Sequence, residues 1–412
     1  MKGVPIVDNM NNGRSLNELC DTIIWCMTVA LMVSFSIFET NDMGKYVYLT
    51  LVLGIFALDV FKNRMKVSFR LNHYHLITMS FAIFVFLSSI WAIDRTYTMR
   101  RWSTTIETTL CMYIVYMHYQ KAGTEDRLIN VLKWSGYILA LYSIAFYGFN
   151  NIRNAIALGD RVGNEFANIN GIGMLASVSI VLTYSQIQAK KISFSMVFVI
   201  PAILMVVVSG SKKAFLELAG GVILLSMHRI VFLSKNPIKA VVKLVATVVM
   251  FVVAILIIAQ LPFMKSVMGR MDTFLNLFTG SGSVDESTIR RVRFIQIGLE
   301  QFIKTPIGGI GIGNSPFIIG RDTYLHNNYI ELLACGGLIG TLVFYVPYIW
   351  LMWKMITKTE KNETDFICLT LLILQLIMDF AQVSYFSKDT FFFMVLYSLN
   401  VQRRRPRMVI ST

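Results

Sequence analysis

Twelve apolar stretches, each near the length that a lipid bilayer asks of a helix, dominate this chain. They lie near 21–38, 46–61, 75–93, 104–119, 129–149, 168–187, 194–209, 214–228, 240–262, 329–353, 366–383 and 389–401. A hydrocarbon core takes about 20 such residues per helix, and only helices or closed barrels satisfy the backbone inside it. Composition closes the soluble alternative. Of the 412 residues 55% are apolar and 15% charged, against roughly 45–50% and ~25% in soluble domains, and the mean hydropathy is +0.59. The expected fold is an all-α integral membrane protein with about 12 transmembrane helices in one polytopic domain, 1–412. No internal repeat of 20–50 residues is visible. The first ~20 residues are polar and the apolar run after them is followed by many more, which argues against a cleaved secretion signal.

The chain carries 38 Lys+Arg against 24 Asp+Glu, a net charge of +14. In a soluble protein this would suggest nucleic acid; here it reads as loops that orient a membrane protein, with no nucleic-acid partner. Cytoplasmic loops collect Lys and Arg. The N-terminus, the alternate loops and the Arg403–Arg407 tail hold 20 of these cations, while the opposite short loops hold 9. An even number of spans with this bias puts both termini in the cytoplasm and makes the long loop between spans nine and ten, about 263–328, external. That loop reads as short amphipathic helices. Val267, Met271, Phe274, Leu275 and Phe278 recur at helical spacing, then a Gly/Ser-rich stretch follows to Ser287. Ile289, Val292, Leu299 and Phe302 form the stripe of a second helix, with Ser287 or Thr288 as its N-cap and Pro306 as its stop.

The five cysteines (Cys20, Cys26, Cys111, Cys335, Cys368) form no CxxC pair and suggest neither a disulfide framework nor a zinc site. No Asp-x-Asp motif occurs, and Glu39 and Asp42 make a thin metal site, so no metal and no cofactor are expected. Of five histidines, four (His73, His75, His118, His228) fall at cytoplasmic span ends. His326 alone lies on the outer face, in Tyr324-Leu-His-Asn-Asn-Tyr-Ile-Glu331. With an ordinary pKa near ~6.5 it suits proton abstraction, or it simply caps a helix start. Outer cations run against the orientation rule: Arg161, Lys212, Lys213, and in the long loop Arg290, Arg291 and Arg293. Snorkelling to headgroups and a Glu217 partner at i,i+4 suit Lys213. Arg161, Lys212 and Arg290 together suggest a cluster for an anionic headgroup, above all a phosphate or diphosphate. Gly308-Gly-Ile-Gly-Ile-Gly313 reads as a tight turn rather than a phosphate cradle. Glu107 and Asp379, acids within spans, are functional candidates by default, or pair with a neighbouring helix.

These pieces resemble the O-antigen ligase and Wzy-type polymerase superfamily. Pro306 through Gly313, then Leu325-His-Asn-Asn-Tyr-Ile-Glu-Leu-Leu-Ala-Cys-Gly-Gly-Leu-Ile-Gly340, is similar to its signature of a Gly-rich turn and a His-Asn leading into a helix. Ser211-Lys-Lys-Ala214 is similar to the family's Ser-Arg-x-Ala element, Arg161 through Asn170-Gly171 to its Arg-Gly-Phe-Asn-Gly segment, and Arg290 with Phe294 to its Arg-to-aromatic spacing. Lys212 stands where the family has arginine. The likeness covers about 160–340. It implies a metal-independent membrane glycosyltransferase in the bacterial inner membrane, with its site on the outer face. The donor would be a glycan on undecaprenyl pyrophosphate, with His326 and Arg290 catalytic and Arg161, Lys212, Arg291, Lys213, Asn327 and Glu331 binding diphosphate or glycan. Polymerisation of lipid-linked repeat units is the leading expectation, with chain-length regulator and flippase proteins as partners. Ligation to a lipid A core is the alternative within the class, and a secondary transporter of an anionic lipid or sugar the alternative outside it.

Overall fold

The computed structural model describes residues 7–38, 43–65, 71–120, 124–158, 161–163, 167–233, 236–260 and 286–402. All regular structure among them is helical: α1 (Val7–Ile37), α2 (Met43–Lys62), α3 (His73–Ser88), α4 (Arg95–Tyr119), α5 (Glu125–Tyr147), α6 (Phe149–Leu158) and α7 (Ile169–Gln188). A 3-10 turn, Phe194–Phe198, then runs into α8 (Val199–Ser209), followed by α9 (Lys212–Leu233), α10 (Pro237–Ala259) and α11 (Glu286–Lys304). The chain ends with α12 (Ser315–Ile319), α13 (Asn328–Ile356), α14 (Glu363–Met378) and α15 (Lys388–Gln402). Each of the twelve apolar stretches overlaps helical structure, though 75–93 and 366–383 run past the ends of α3 and α14. Among the described residues five helical segments are long and apolar enough to cross a membrane: Leu16–Ile37, Met43–Lys62, Glu125–Tyr147, Lys212–Phe232 and Asn328–Ile356.

Local chemistry sets the helix ends. Asn72 and Asp94 accept the His75 and Thr96 amides at 3.2 and 2.7 Å and so cap α3 and α4. Asn362 and Asp365 form a reciprocal capping box on α14. Gly210, with φ of 54°, ends α8 in the left-handed conformation and lets α9 start two residues later. Among the described residues the helices bury two large apolar clusters, one joining α1–α4 to α13–α15 and the other centred on α7 among α5, α8 and α9, and a small third one of Phe294, Leu325 and Ala334. Leu49, Leu53, Ile83, Ile203, Leu216 and Ile349 stand exposed, as suits helices whose outer surface meets lipid.

One end of the bundle is tied by charge. Lys62 bonds Asp21, His118 Nδ1 lies 2.8 Å from Asp59, Arg229 pairs with Glu363, and Lys358 lies 2.5 Å from Asp365. These pairs stitch α1, α2 and α4, then α9 to α14. The other end holds the loop 305–327 and the cavity described below.

The long-loop expectation divides in two. Its first amphipathic helix, about Val267 to Phe278, lies outside the described residues. The second is α11, and its packed face differs from the expected stripe. Phe294 and Gly298 are buried against α13, while Ile289 and Leu299 are exposed. The helix already includes Glu286, so Thr288 lies buried in its first turn instead of before it. Beside a membrane an apolar side chain need not face protein, so the apolar stripe does not identify the protein-facing side.

Candidate functional site

His326 sits in the left-handed region, with φ of 57°. Histidine reaches it more readily than most side chains, but the conformation persists only where the surroundings hold it. Here they do. The Leu325 side chain is fully buried with Phe294 and Ala334, and its amide donates to Glu331 Oε2 at 2.9 Å. The other Glu331 oxygen accepts from Ser315 Oγ at 2.6 Å. On the far side of His326, Asn327 caps α13 by accepting the Ile330 amide at 3.1 Å. Asn328 Nδ2 then donates to Tyr345 Oη at 2.8 Å, and its Oδ1 accepts the Ser384 amide at 2.9 Å. The imidazole lies nearly parallel to Phe294, centroids 6.1 Å apart and planes at 4°, with Tyr324 at 4.4 Å. Arg290 and Phe294 are one turn apart on α11 and therefore share a face.

The glycine-rich run anchors this loop by its backbone. Gly309 (φ 64°) and Gly337 (φ 61°) put two chains in contact: a Cβ on the first would stand 2.4 Å from the Cys335 carbonyl, and on the second 2.4 Å from that of Ile307. Leu338 and Ile339 amides reach the Pro306 and Ile307 carbonyls at 2.8 and 3.1 Å, and the Ile310 amide reaches Ala334 O at 3.2 Å. The same run docks on the α3–α4 connection. Trp91 Nε1 donates to Gly308 O at 2.9 Å, and Asn314 Oδ1 accepts the Asp94 amide at 2.7 Å. With its Gly309, Ile310 and Ile312 amides engaged in the fold, the run is a structural turn.

Three cations act on the histidine. Burial first, then the positive charges of Arg291, Lys213 and Arg290, push its pKa down to about 4. Both effects disfavour the protonated ring, so the imidazole is neutral at pH 7 and able to accept a proton. Beside it opens a cavity of about 460 Å³, within the range of ordinary ligand sites. Lys213, Glu217, Tyr324, Asn170 and Gly171 line it. The C-terminal end of α1 and the N-terminal ends of α2, α4, α7, α9 and α15 also reach it, so alternate helix ends gather at one place.

The expected site residues are therefore distributed as follows. The charges of Arg291, Lys213 and Arg290 act on His326, but both arginines are exposed and outside the cavity's lining, and Arg290 also pairs with Glu286 at 2.8 Å. Arg161 is exposed and neither lines the cavity nor acts on the histidine; the nearby Asn168, Asn170 and Gly171 line it instead. Asn327 serves as a helix cap, and Glu331 braces the histidine's loop. Asp379 accepts from Tyr345 at 2.8 Å, pairing with a neighbouring helix, while Glu107 lines the cavity. Of the two lysines, Lys213 enters the cavity and donates to Gln382 at 3.3 Å, whereas Lys212 is not among its lining. Successive helical residues point about 100° apart, so one hollow receives only one of them. Lys213→Gln is expected to slow transfer by about 10²–10³-fold, the cost of one fixed charge stabiliser. Lys212→Gln should cost less than about tenfold by the same reasoning; initial rates at matched membrane expression would check the order.

Sequence reading passed over Arg101. Its guanidinium lies 4.1 Å over the Phe386 ring and lines the cavity. The signal was there: Arg101, Thr104, Thr108 and Cys111 make a stripe at helical spacing on α4, facing the cavity.

Among the described residues no group of three His, Cys, Asp or Glu side chains could hold a metal ion. No curated protein matches the chain. A family model described as O-antigen ligase, Wzy_C, matches residues 194–345. That stretch contains the Ser211-Lys-Lys-Ala214 element, the whole of α11, the glycine turn and the His326-Asn327 entry into α13. Over those residues the chain is similar to the O-antigen ligase family, in line with the resemblance read from its motifs.

Proposed function

We propose that this protein polymerises lipid-linked oligosaccharide repeat units at the outer face of the bacterial inner membrane, moving a glycan from its undecaprenyl diphosphate onto the next lipid-linked unit. The carrying observation is an imidazole kept neutral by burial and by the charges of Arg291, Lys213 and Arg290, next to Tyr324, which with Lys213 lines the cavity. In the reaction an acceptor hydroxyl oxygen bonds to the donor's anomeric carbon as the bond from that carbon to the diphosphate oxygen breaks. The hydroxyl proton passes to His326, and the departing diphosphate takes its charge to Lys213, Arg290 and Arg291, fixed cations that act where charge develops. Glu331 holds the loop that aims the histidine.

The proposed topology has twelve spans, cytoplasmic termini and the 263–328 loop outside. The gathering of alternate helix ends around one cavity supports that alternation, and so does the excess of Lys and Arg on the opposite side. A single cysteine at Asp322, on a background without native cysteines, is expected to react with an impermeant reagent from the periplasmic side. One at Thr359 should react only after the membrane is broken; the reverse pattern overturns the orientation.

The function is tested by reconstitution with purified lipid-linked repeat units. Longer lipid-linked glycans formed without nucleotide or added metal are the expected product. Glycan arriving only on a lipid A core would make the protein a ligase, and uptake of intact lipid without bond formation would make it a transporter.

A further inference from the structure

The cavity has a second cationic wall. Arg101 reaches it from α4, Lys388 from the start of α15 and Lys45 from the first turn of α2. Helix α4 packs on both α2 and α15, whereas Lys213 belongs to α9, which packs on α7 and α14. The charges acting on His326 are Arg291, Lys213 and Arg290, with none from this second wall. Of the three charges that act on His326, Lys213 lines the cavity and Arg290 and Arg291 do not, so the hollow receives Lys213 on one side and the second wall on the other, from different helices.

Two members of the second group are held by rings. Arg101 lies 4.1 Å over Phe386, and Lys388 lies 3.9 Å from the Tyr48 ring centroid and 5.8 Å from that of Phe35. A guanidinium stacked on a ring keeps its in-plane N–H fork directed outward, suited to phosphate oxygens. Arg101 makes no direct ion pair with a carboxylate among the described residues, although its charge also acts on the buried Glu331. Of the acids of the cavity, Glu217 stands one turn from Lys213, while Glu107 on α4 and Asp389 beside Lys388 share the second wall with its three cations. Between the two cationic groups runs a line of rings. His326 and Tyr324 are 4.4 Å apart, Tyr324 and Phe386 6.3 Å apart, and Arg101 covers Phe386.

We propose that Arg101, Lys388 and Lys45 form a second anion site, which holds the diphosphate of the acceptor lipid while its sugars span the aromatic line to His326. This rests on the polymerase reading. In that reaction both partners carry a lipid diphosphate, and only the donor's departs. Two such groups repel one another and cannot share one set of cations. A second group, set apart from the reacting hydroxyl, lets donor and acceptor occupy one cavity together. The bilayer's own anionic headgroups share the phosphate chemistry, and the test separates them.

The probe is a short-chain polyprenyl diphosphate without glycan, titrated into the full-length protein in detergent and counted by native mass spectrometry. The wild-type chain is expected to hold two molecules. Arg101→Gln and, independently on another helix, Lys388→Gln should weaken one of them about tenfold or more, as expected for a lost charge-assisted contact. Lys213→Gln should weaken the other, and a tenfold excess of phosphatidylglycerol should leave both in place. One molecule in the wild type, two unweakened in both second-wall variants, or displacement of the Arg101-dependent molecule by phosphatidylglycerol would each overturn the site. Reconstituted transfer completes the test. Arg101→Gln should raise KM about tenfold for an acceptor bearing the diphosphate and leave KM unchanged for the same oligosaccharide without it. An equal rise for both acceptors would overturn the assignment. If the polymerase reading itself fails, the wild type extends neither acceptor, a result distinct from either binding outcome.

Discussion

His326→Ala is expected to reduce glycan transfer by about 10²–10⁴-fold, the usual contribution of a positioned base, with the protein still folded and still binding lipid diphosphate. The pH dependence separates a base from a hydrogen-bond donor. The free enzyme's imidazole is held down to about 4 by burial and by Arg291, Lys213 and Arg290. A base is active when unprotonated, so kcat/KM should be flat around neutrality and fall only as the pH drops toward that value. A donor role for the charged ring would give activity that declines as pH rises through the same value, leaving little at pH 7. A bound diphosphate places negative charge among the three cations and raises the histidine's pKa. The acidic limb of kcat should therefore lie at higher pH than that of kcat/KM. Coincident limbs would mean that the diphosphate does not sit beside His326, and His326→Ala retaining near-full rate would remove the residue from the chemistry.

Gly309→Ala should damage the protein through its fold. The position needs a left-handed backbone, which costs an L-residue about 1–2 kcal/mol. The new Cβ would also stand 2.4 Å from the Cys335 carbonyl carbon and oxygen. Overpacking against atoms that cannot rotate away adds about 1–3 kcal/mol, and backbone sits at the firm end of that range. Gly320→Ala is the internal control. Gly320 has φ of 73° but nothing within 4 Å of the added carbon, so only the conformational cost applies. Thermal unfolding in detergent should show a clear loss for Gly309→Ala and a distinctly smaller one for Gly320→Ala. Equal losses would mean that the contact with α13 is unimportant and that the turn only needs its φ. Transfer should fall with Gly309→Ala beyond the stability effect, because the turn and α13 frame the loop that carries His326.

Much of this was written in the chain. Apolar runs of bilayer length identified every helix on which they fall, because a backbone in hydrocarbon has no other satisfied form. Pro306 and the following glycines marked the stop of α11. His326 stood out because the other histidines lie at the opposite end, and its Asn327 neighbour marked the start of a helix. The stretch 194–345 was recognisable from short motifs whose spacing reflects one turn and one helix start.

Other features depended on distances between residues far apart in sequence. Nothing in Ser211-Lys-Lys-Ala214 says which lysine faces the cavity; the packing of α9 against α7 and α14 turns Lys213 inward. The apolar stripe of α11 pointed to Ile289 and Leu299, yet Phe294 and Gly298 are the buried positions, since a helix beside a membrane meets apolar surroundings on more than one face. Arg101 goes unnamed in the sequence reading, one of the nine cations counted in the opposite short loops. It becomes a site residue through Phe386, 285 positions away, which supports its guanidinium at the cavity wall. The sequence by itself determined where the long apolar helices lie and which histidine leads from the glycine-rich turn into a helix, because hydropathy and local turn chemistry act over a few residues. Which cations share a cavity was decided only by tertiary structure, because a charge acts through space on whatever the packed helices bring near it.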